Sequence, residues 1–322
     1  MMDEKDLPPE SLVAKARRQL EQRLRGLTWH RIVALASTVI LVGYLLISLA
    51  TNWRELLAYE WRISPAHLLA SLLAYLGSLI LGALAWHRMV WSMDRRVATR
   101  KGVKFFLQAN PAKRVPGLIW YALGRIYLYE REGVTKTTIS IALSLELVTM
   151  ILGGVLVYLG TAWGGALEVE ALQQAWLLAP LAALLALLLW PQGLYRVANW
   201  LLNRLKRQPI VHQASRGNLI RWSLLQAGAW VSGGLFIFFL AAGLYPDLGW
   251  NHVVPVVRSW AASGLVAMAA LIVPLGLGLK ETAFAYLLAA LVPWPVAVSI
   301  SLLGRFCSII GDCVGLLLAS RL

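Results

Sequence analysis

Long apolar stretches separated by short polar connections run along nearly the whole chain of 322 residues. Seven of them approach or exceed the length of about 20 residues that an α-helix needs to cross the hydrocarbon of a bilayer. These stretches are residues 32–50, 66–89, 137–159, 175–190, 219–244, 253–273 and 296–320. The pattern predicts an all-α, polytopic membrane bundle with about seven spanning helices.

Two further apolar stretches are too short to span, and both open with proline and glycine. They are residues 115–129 (VPGLIWYALGRIYLY) and 274–292 (PLGLGLKETAFAYLLAALV). Such stretches are typical of re-entrant or broken segments, and a pair of them in two halves of a chain indicates a transporter substrate site; juxtamembrane helices are the alternative. Four predicted spans separate the two, so both segments would enter from one side. An inverted pair requires an odd number, so either the inversion or the span count must be wrong.

The composition excludes a soluble enzyme and a disordered chain, because 59% of the residues are hydrophobic and only 14% are charged. The net charge of +14 fits the Lys and Arg excess of cytoplasmic loops, so no nucleic acid partner is expected. Basic residues concentrate before residue 32 and in the connections 88–104 and 191–221. This bias predicts a cytoplasmic N-terminus. Residues 1–29 are predicted to form an amphipathic interfacial segment, and residues 30–322 one transmembrane domain.

Charged residues at membrane depth support the functional hypothesis. A central charge costs about 2.5–3.5 kcal/mol on insertion scales, so such residues tend to pair or to face a cavity. The candidate substrate-binding residues are the cations Arg114, Arg125, Arg258, Lys280 and Arg305 and the acids Glu146, Glu281 and Asp312. If every acid pairs with a cation, two positive charges remain for an anionic ligand, and a phosphate suits the planar arginine fork. Snorkelling of Arg114, Arg125 and Lys280 to the interface is the alternative.

No catalytic, cofactor or metal motif accompanies these charges. The sequence contains no HExxH, Walker A or GxSxG pattern. Cys307 and Cys313 lie in one apolar stretch and indicate buried thiols, neither a disulfide framework nor a zinc site. We therefore expect no enzyme activity, no cofactor and no bound metal.

Three motifs carry a resemblance to a known family: RVPGLIWYALGR at 114–125, EREGVT at 130–135 and PLGLGLKE at 274–281. Together with Glu146 and Arg305, they resemble the lysylphosphatidylglycerol synthase transmembrane region family, also called the flippase-like domain. The resemblance covers about residues 30–320 and implies an inner-membrane protein that moves lipids between leaflets. Its structural motif residues here are Pro116, Gly117, Trp120, Gly124, Pro274, Gly276 and Gly278. The best-known members add a soluble synthase domain, which these residues lack, so no synthase activity is expected.

Three functions are compatible with the sequence. A lipid flippase-like transporter would hold the phosphate of an anionic phospholipid or a polyprenyl-phosphate-linked glycan on buried arginines, which Glu146 and Glu281 would pair with when the site is empty. A non-transporting scaffold would recruit a glycosyltransferase or lipid-synthesis enzyme through the basic connections. A membrane-embedded lipid-modifying enzyme would use Glu146 or Glu281 as acid or base, although no nucleophile stands out. A homo-oligomer is compatible with each.

Overall fold

The computed structural model describes residues 64–114, 119–162, 215–269 and 278–322, with isolated positions at 43, 47, 50, 51, 196, 200 and 204. Within these ranges the chain forms α-helices and short 3-10 turns and no strand. The helices are α1 Pro65–Met93, α2 Thr99–Ala109, α3 Ile119–Glu130, α4 Lys136–Ala162, α5 Arg216–Leu244, α6 Val253–Ala269, α7 Leu279–Leu288 and α8 Trp294–Arg321. The 3-10 turns are Asn110–Arg114 and Trp250–His252. The all-α prediction is confirmed for this part of the chain.

Four of the helices, α1, α4, α5 and α8, are long and apolar enough to cross a membrane. They have 27 to 29 residues each, which at 1.5 Å per residue gives a length of about 40 Å. They confirm the predicted spans at 66–89, 137–159, 219–244 and 296–320. The predicted spans at 32–50 and 175–190 lie outside the described residues, except for isolated positions in the first, and so does the amphipathic segment 1–29.

Local sequence fixes where several of these helices begin. Pro65 and Pro295 lie in the first turns of α1 and α8, where a missing backbone N–H costs nothing because it would have no helical partner. The hydroxyl of Ser215 accepts a hydrogen bond from the backbone N–H of Asn218 at 3.3 Å and so caps α5.

The spanning helices share two ends, which contacts between distant residues identify. The backbone N–H of Ser64 donates to the carbonyl of Gly243, so α1 begins where α5 finishes. The guanidinium of Arg100 donates to the carbonyl of Arg321 at 3.0 Å, so α8 finishes beside the start of α2. Helices α1 and α8 finish at one end of the bundle, where α5 begins. We call this the basic end, because the cations of 88–104 lie there, and we call the other end of the bundle the opposite end.

The first short segment is the returning arm of a re-entrant hairpin, and α2 is the entering arm. The chain leaves α1 at the basic end, descends through α2 and rises again through α3. Lys101 near the start of α2 pairs with Glu132 after α3 at 2.6 Å, and the guanidinium of Arg96 donates to the carbonyl of Gly133. Both arms therefore meet the basic end. Sequence analysis assigned residues 99–104 to a loop and did not predict α2. The basic residues of α2 obscured its apolar face, which includes the buried side chains of Phe105 and Phe106.

The second short segment also belongs to a re-entrant hairpin, and this corrects the span count. Eight residues separate the end of α5 from the start of α6, which therefore begins at the opposite end. Helix α7 finishes just before α8, whose 28 residues lead from the opposite end to the basic end. The chain from 253 to 292 thus enters and leaves at one end. The predicted span at 253–273 is wrong as a crossing: its described part is the 17-residue entering arm.

The two halves of the described chain repeat one arrangement in opposite orientation. Each half has a spanning helix, a re-entrant hairpin and a second spanning helix: α1, α2–α3, α4, then α5, α6–α7, α8. Every contact between helices has a counterpart in the other half, and α1 packs antiparallel on α5 at the centre. The two hairpins enter from opposite ends. The inversion suggested by the paired short segments therefore holds, and the span count was the error.

Candidate functional site

The first buried ion pair joins the returning arm of the first hairpin to a spanning helix. The Nη1 atom of Arg125 in α3 lies 2.6 Å from Oε2 of Glu146 in α4, and the side chains are 0% and 5% exposed. The hydroxyl of Tyr121, one helical turn before Arg125, donates to the Glu146 carboxylate at 2.9 and 3.0 Å. Removal of two charges from water costs several kcal/mol per ion, which this close contact must offset. The snorkelling alternative is excluded for Arg125.

The Arg125 guanidinium is enclosed by three aromatic rings. Its central carbon lies 3.8 Å from the ring centroid of Trp86, 4.1 Å from that of Tyr121 and 4.5 Å from that of Phe106. Contact with ring faces attracts a cation by up to about 2 kcal/mol where water is excluded. Within the described part of the chain, the atoms Nε and Nη2 of Arg125 have no hydrogen-bond partner. A buried arginine with two unused donors has the capacity to bind further acceptor oxygens.

Further aromatic contacts hold the rings around Arg125 in place. The indole N–H of Trp86 donates to the hydroxyl of Tyr129 at 2.9 Å, and their rings meet edge to face. Phe105 packs edge to face on the other side of Tyr129 with centroids 5.2 Å apart. These contacts fix Trp86 relative to both arms of the first hairpin, so movement of this hairpin would change the surroundings of Arg125.

Asp312 forms a separate polar node between α8, α1 and the tip of the first hairpin. Its Oδ1 atom accepts hydrogen bonds from the hydroxyl of Tyr75 at 2.6 Å and from the side-chain amide of Asn110 at 2.9 Å. Asn110 begins the 3-10 turn that follows α2. All three side chains are buried or nearly so. Asp312 therefore anchors the tip of the first hairpin and lies apart from the Arg125–Glu146 pair.

The second ion pair lies in the other half. The Nη1 atom of Arg305 in α8 lies 2.5 Å from Oε1 of Glu281 in α7, and the side chains are 29% and 16% exposed. The hydroxyl of Ser301 donates to the backbone carbonyl of Glu281 at 2.8 Å. Gly278, just before α7, has a φ of 95°, a left-handed conformation that glycine adopts readily. This pair is more open than the first.

Two further cations lie on the second hairpin. The ammonium of Lys280 sits 3.4 Å from the ring centroid of Trp260 and 5.9 Å from that of Trp230. Arg258 on α6 is half-buried, and no ion pair joins it to any described residue. The second hairpin thus carries two cations that do not belong to the Glu281–Arg305 pair.

The two pairs occupy equivalent places with reversed polarity. In each half a charged residue of the returning arm pairs with a charged residue on the spanning helix that follows. Glu146 lies 21 residues after Arg125, and Arg305 lies 24 residues after Glu281. The first pair lies about 15 Å from the basic end and the second about 16 Å from the opposite end, from their positions along α4 and α8. The polar centre is therefore a two-part site across the middle of the bundle.

The sequence found the charges but not their surroundings. Trp120, a predicted motif residue, is 51% exposed, and a Cβ at Gly124 would meet Ala109 at an ordinary 3.8 Å. The side chain of Arg114, and Pro116, Gly117, Pro274 and Gly276 altogether, lie outside the described residues. Sequence analysis missed the side chains that surround Arg125 and Asp312, namely Trp86, Phe106, Tyr121, Tyr75 and Asn110. The available signal was Trp86, a tryptophan within the predicted span 66–89 and not beyond its end.

Comparison with known proteins agrees with this architecture. No curated protein matches the chain. A family model described as the lysylphosphatidylglycerol synthase TM region matches residues 32–314, which is most of the chain. The match contains both hairpins and both ion pairs. The chain is therefore a multi-pass membrane protein that belongs to the lysylphosphatidylglycerol synthase TM region family.

Proposed function

We propose that this protein moves an anionic lipid between the two leaflets of the inner membrane and holds the lipid phosphate on its buried arginines. The observation that supports this most directly is Arg125, which is fully buried and paired with one carboxylate, and whose Nε and Nη2 atoms have no acceptor among the described residues. Paired and unpaired polar groups at membrane depth are expensive and mark substrate pathways. A phosphate offers acceptor oxygens that match the guanidinium fork.

The carboxylates of two glutamates would take the place of the lipid phosphate when no lipid is bound. Glu146 and Glu281 neutralise Arg125 and Arg305 while no lipid is bound, which keeps uncompensated charge out of the hydrocarbon. An arriving phosphate would replace the carboxylate and restore the same charge balance, so the exchange needs little net electrostatic free energy. The acyl or prenyl chains would stay in the bilayer throughout. Lys280 and Arg258 would add attraction for anionic headgroups on the second hairpin.

The inverted halves supply a route between leaflets. In transporters built from inverted repeats, rocking of one repeat against the other exposes a central site to either side in turn. Here the pair nearer the basic end is sealed, whereas the pair nearer the opposite end is partly open. Exchange of these two conformations would close one pair while opening the other. The Lys and Arg bias assigns the basic end to the cytoplasm.

Reconstitution into liposomes with a fluorescent phosphatidylglycerol tests the proposal. The double variant Arg125→Met, Glu146→Gln removes both charges together and so avoids a lone buried charge. We expect a folded protein that has lost most of its translocation activity. Arg321→Gln, which removes one exposed charge at the end of α8, is the matched control and should transport normally. Wild-type rates in a folded double variant would refute the proposal.

A non-transporting scaffold is the competing function, and the basic connection 88–104 would carry it. Two of its cations already have acidic partners, Lys101 with Glu132 at 2.6 Å and Arg96 with Asp94 at 3.7 Å. This engagement favours transport over docking of an acidic partner. We also propose that the chain catalyses no reaction, since each glutamate on the two hairpin–helix contacts is held by an arginine.

A further inference from the structure

A groove of about 600 Å³ lies at the basic end, between the last turns of α1 and the first turns of α5. We infer that it binds the headgroup of an anionic phospholipid as a fixed, non-transported ligand, a role independent of the proposed translocation. The groove is lined by Arg88 and Arg95 from α1 and its following residues and by Arg221 from α5. The site has no part in the two buried ion pairs.

The described residues provide no acidic group to compensate the charge of the groove. Among the described residues no acidic side chain lines it, and none of Arg88, Arg95 and Arg221 forms an ion pair with any of them. Ser92 and Asn218 add uncharged hydrogen-bonding groups to the same lining. Basic pockets between membrane helices at the cytoplasmic side bind anionic lipid headgroups. Three arginines with no acid therefore favour a headgroup of net negative charge over a zwitterionic or neutral headgroup.

The lining changes from basic to apolar along the helices, as a lipid requires. Leu81 and Leu84 lie deeper on α1 than Arg88, and Leu224 and Leu225 line the α5 side. From Leu81 to Ser92 the groove follows α1 for about 17 Å, at 1.5 Å per residue. Free phosphate would make no favourable contact with the apolar part of the groove, and an acidic peptide would not reach membrane depth. The shape therefore favours a molecule with an anionic head and a hydrocarbon tail.

Two tryptophans stand at the junction of the basic and apolar parts. Trp91 and Trp222 both line the groove, and Trp side chains typically sit at headgroup level. Trp86, which covers Arg125, lies two residues before Arg88 and so about 200° around the helix from it. The groove and the buried pair thus occupy different faces of α1, so substitutions in the groove should leave the pair intact.

Native mass spectrometry of the full chain in detergent tests this inference. Dioleoyl phosphatidylglycerol is titrated against dioleoyl phosphatidylcholine on the wild type, on R88Q/R95Q/R221Q and on the control R131Q/R216Q/R321Q, which removes three exposed arginines outside the groove. Each basic residue near a lipid surface contributes about a fivefold factor, so the groove variant should bind phosphatidylglycerol about 100-fold more weakly. The control variant should bind like the wild type, and circular dichroism verifies that all are folded.

Three results would overturn the inference. These are equal phosphatidylglycerol binding by the groove and control variants, no preference over phosphatidylcholine, or displacement of the lipid by equimolar inorganic phosphate or polyglutamate. Displacement by phosphate would assign a free anion, and displacement by polyglutamate a protein partner. The same titration on R125M/E146Q separates the two proposals. In that variant the bound phosphatidylglycerol that R88Q/R95Q/R221Q loses should persist, whether or not the Arg125 site also binds lipid and whether or not translocation is observed.

Discussion

The ion pair of Arg125 and Glu146 allows a direct test of how dry the centre of the bundle is. Glu146→Gln keeps the size of the side chain and an acceptor for the Tyr121 hydroxyl, but it leaves the Arg125 guanidinium without its counter-charge. The guanidinium is 0% exposed and surrounded by rings, so water cannot replace the lost charge. Breaking a buried pair from one side costs about 3–5 kcal/mol. We expect Glu146→Gln to lower the free energy of unfolding by this amount.

A second substitution should reverse most of the loss. In Arg125→Met, Glu146→Gln the buried charge is gone, and Met fits an aromatic enclosure. Replacement of a whole buried ion pair by neutral groups is often neutral in stability, and an imperfectly bonded Gln amide costs about 1–3 kcal/mol. The double variant should therefore unfold closer to wild type than Glu146→Gln does.

Equilibrium unfolding by sodium dodecyl sulfate in mixed micelles, followed by circular dichroism, measures these changes. Glu130→Gln is the matched control, because Glu130 and Lys136 form an exposed pair at 3.3 Å with side chains 38% and 72% exposed. Exposed pairs contribute about 0–1 kcal/mol. Equal destabilisation by Glu146→Gln and Glu130→Gln would mean that water reaches Arg125, and the argument for a dry phosphate site would fail.

Three further predictions concern the packing and the hairpins. Gly311→Ala should cost about 1–3 kcal/mol in the same unfolding assay, because its Cβ would lie 2.2 Å from Tyr75, whereas Gly217→Ala, with nothing within 4 Å, should cost nothing by contact. Gly278→Ala should cost about 1–2 kcal/mol because an alanine is strained at a φ of 95°, and a loss below 0.5 kcal/mol would contradict the left-handed turn. In a variant without native cysteines, Ala290→Cys should react with a membrane-impermeant maleimide from the side opposite the basic end; labelling from the basic-end side would restore the seven-span count.

The apolar pattern by itself determined that this chain is a helical membrane bundle and where four of its spanning helices lie. It also identified both short segments, because Pro and Gly at the start and charge within a stretch are local features that no tertiary contact is needed to see. The membrane-depth charges were equally visible, since any Arg or Glu in an apolar stretch stands out.

Only the tertiary structure decided what those elements do. Hydropathy cannot distinguish an entering arm from a crossing helix, because both are apolar. The end at which the chain emerges is set by the packing of α7 and α8, and this packing makes Val253–Ala269 a hairpin arm. The partners of the charges also depend on packing, since Arg125 meets Glu146, and Arg305 meets Glu281, across different helices. The rings around Arg125 come from α1, α2 and α3, so their convergence is a property of the assembled bundle and of no single segment.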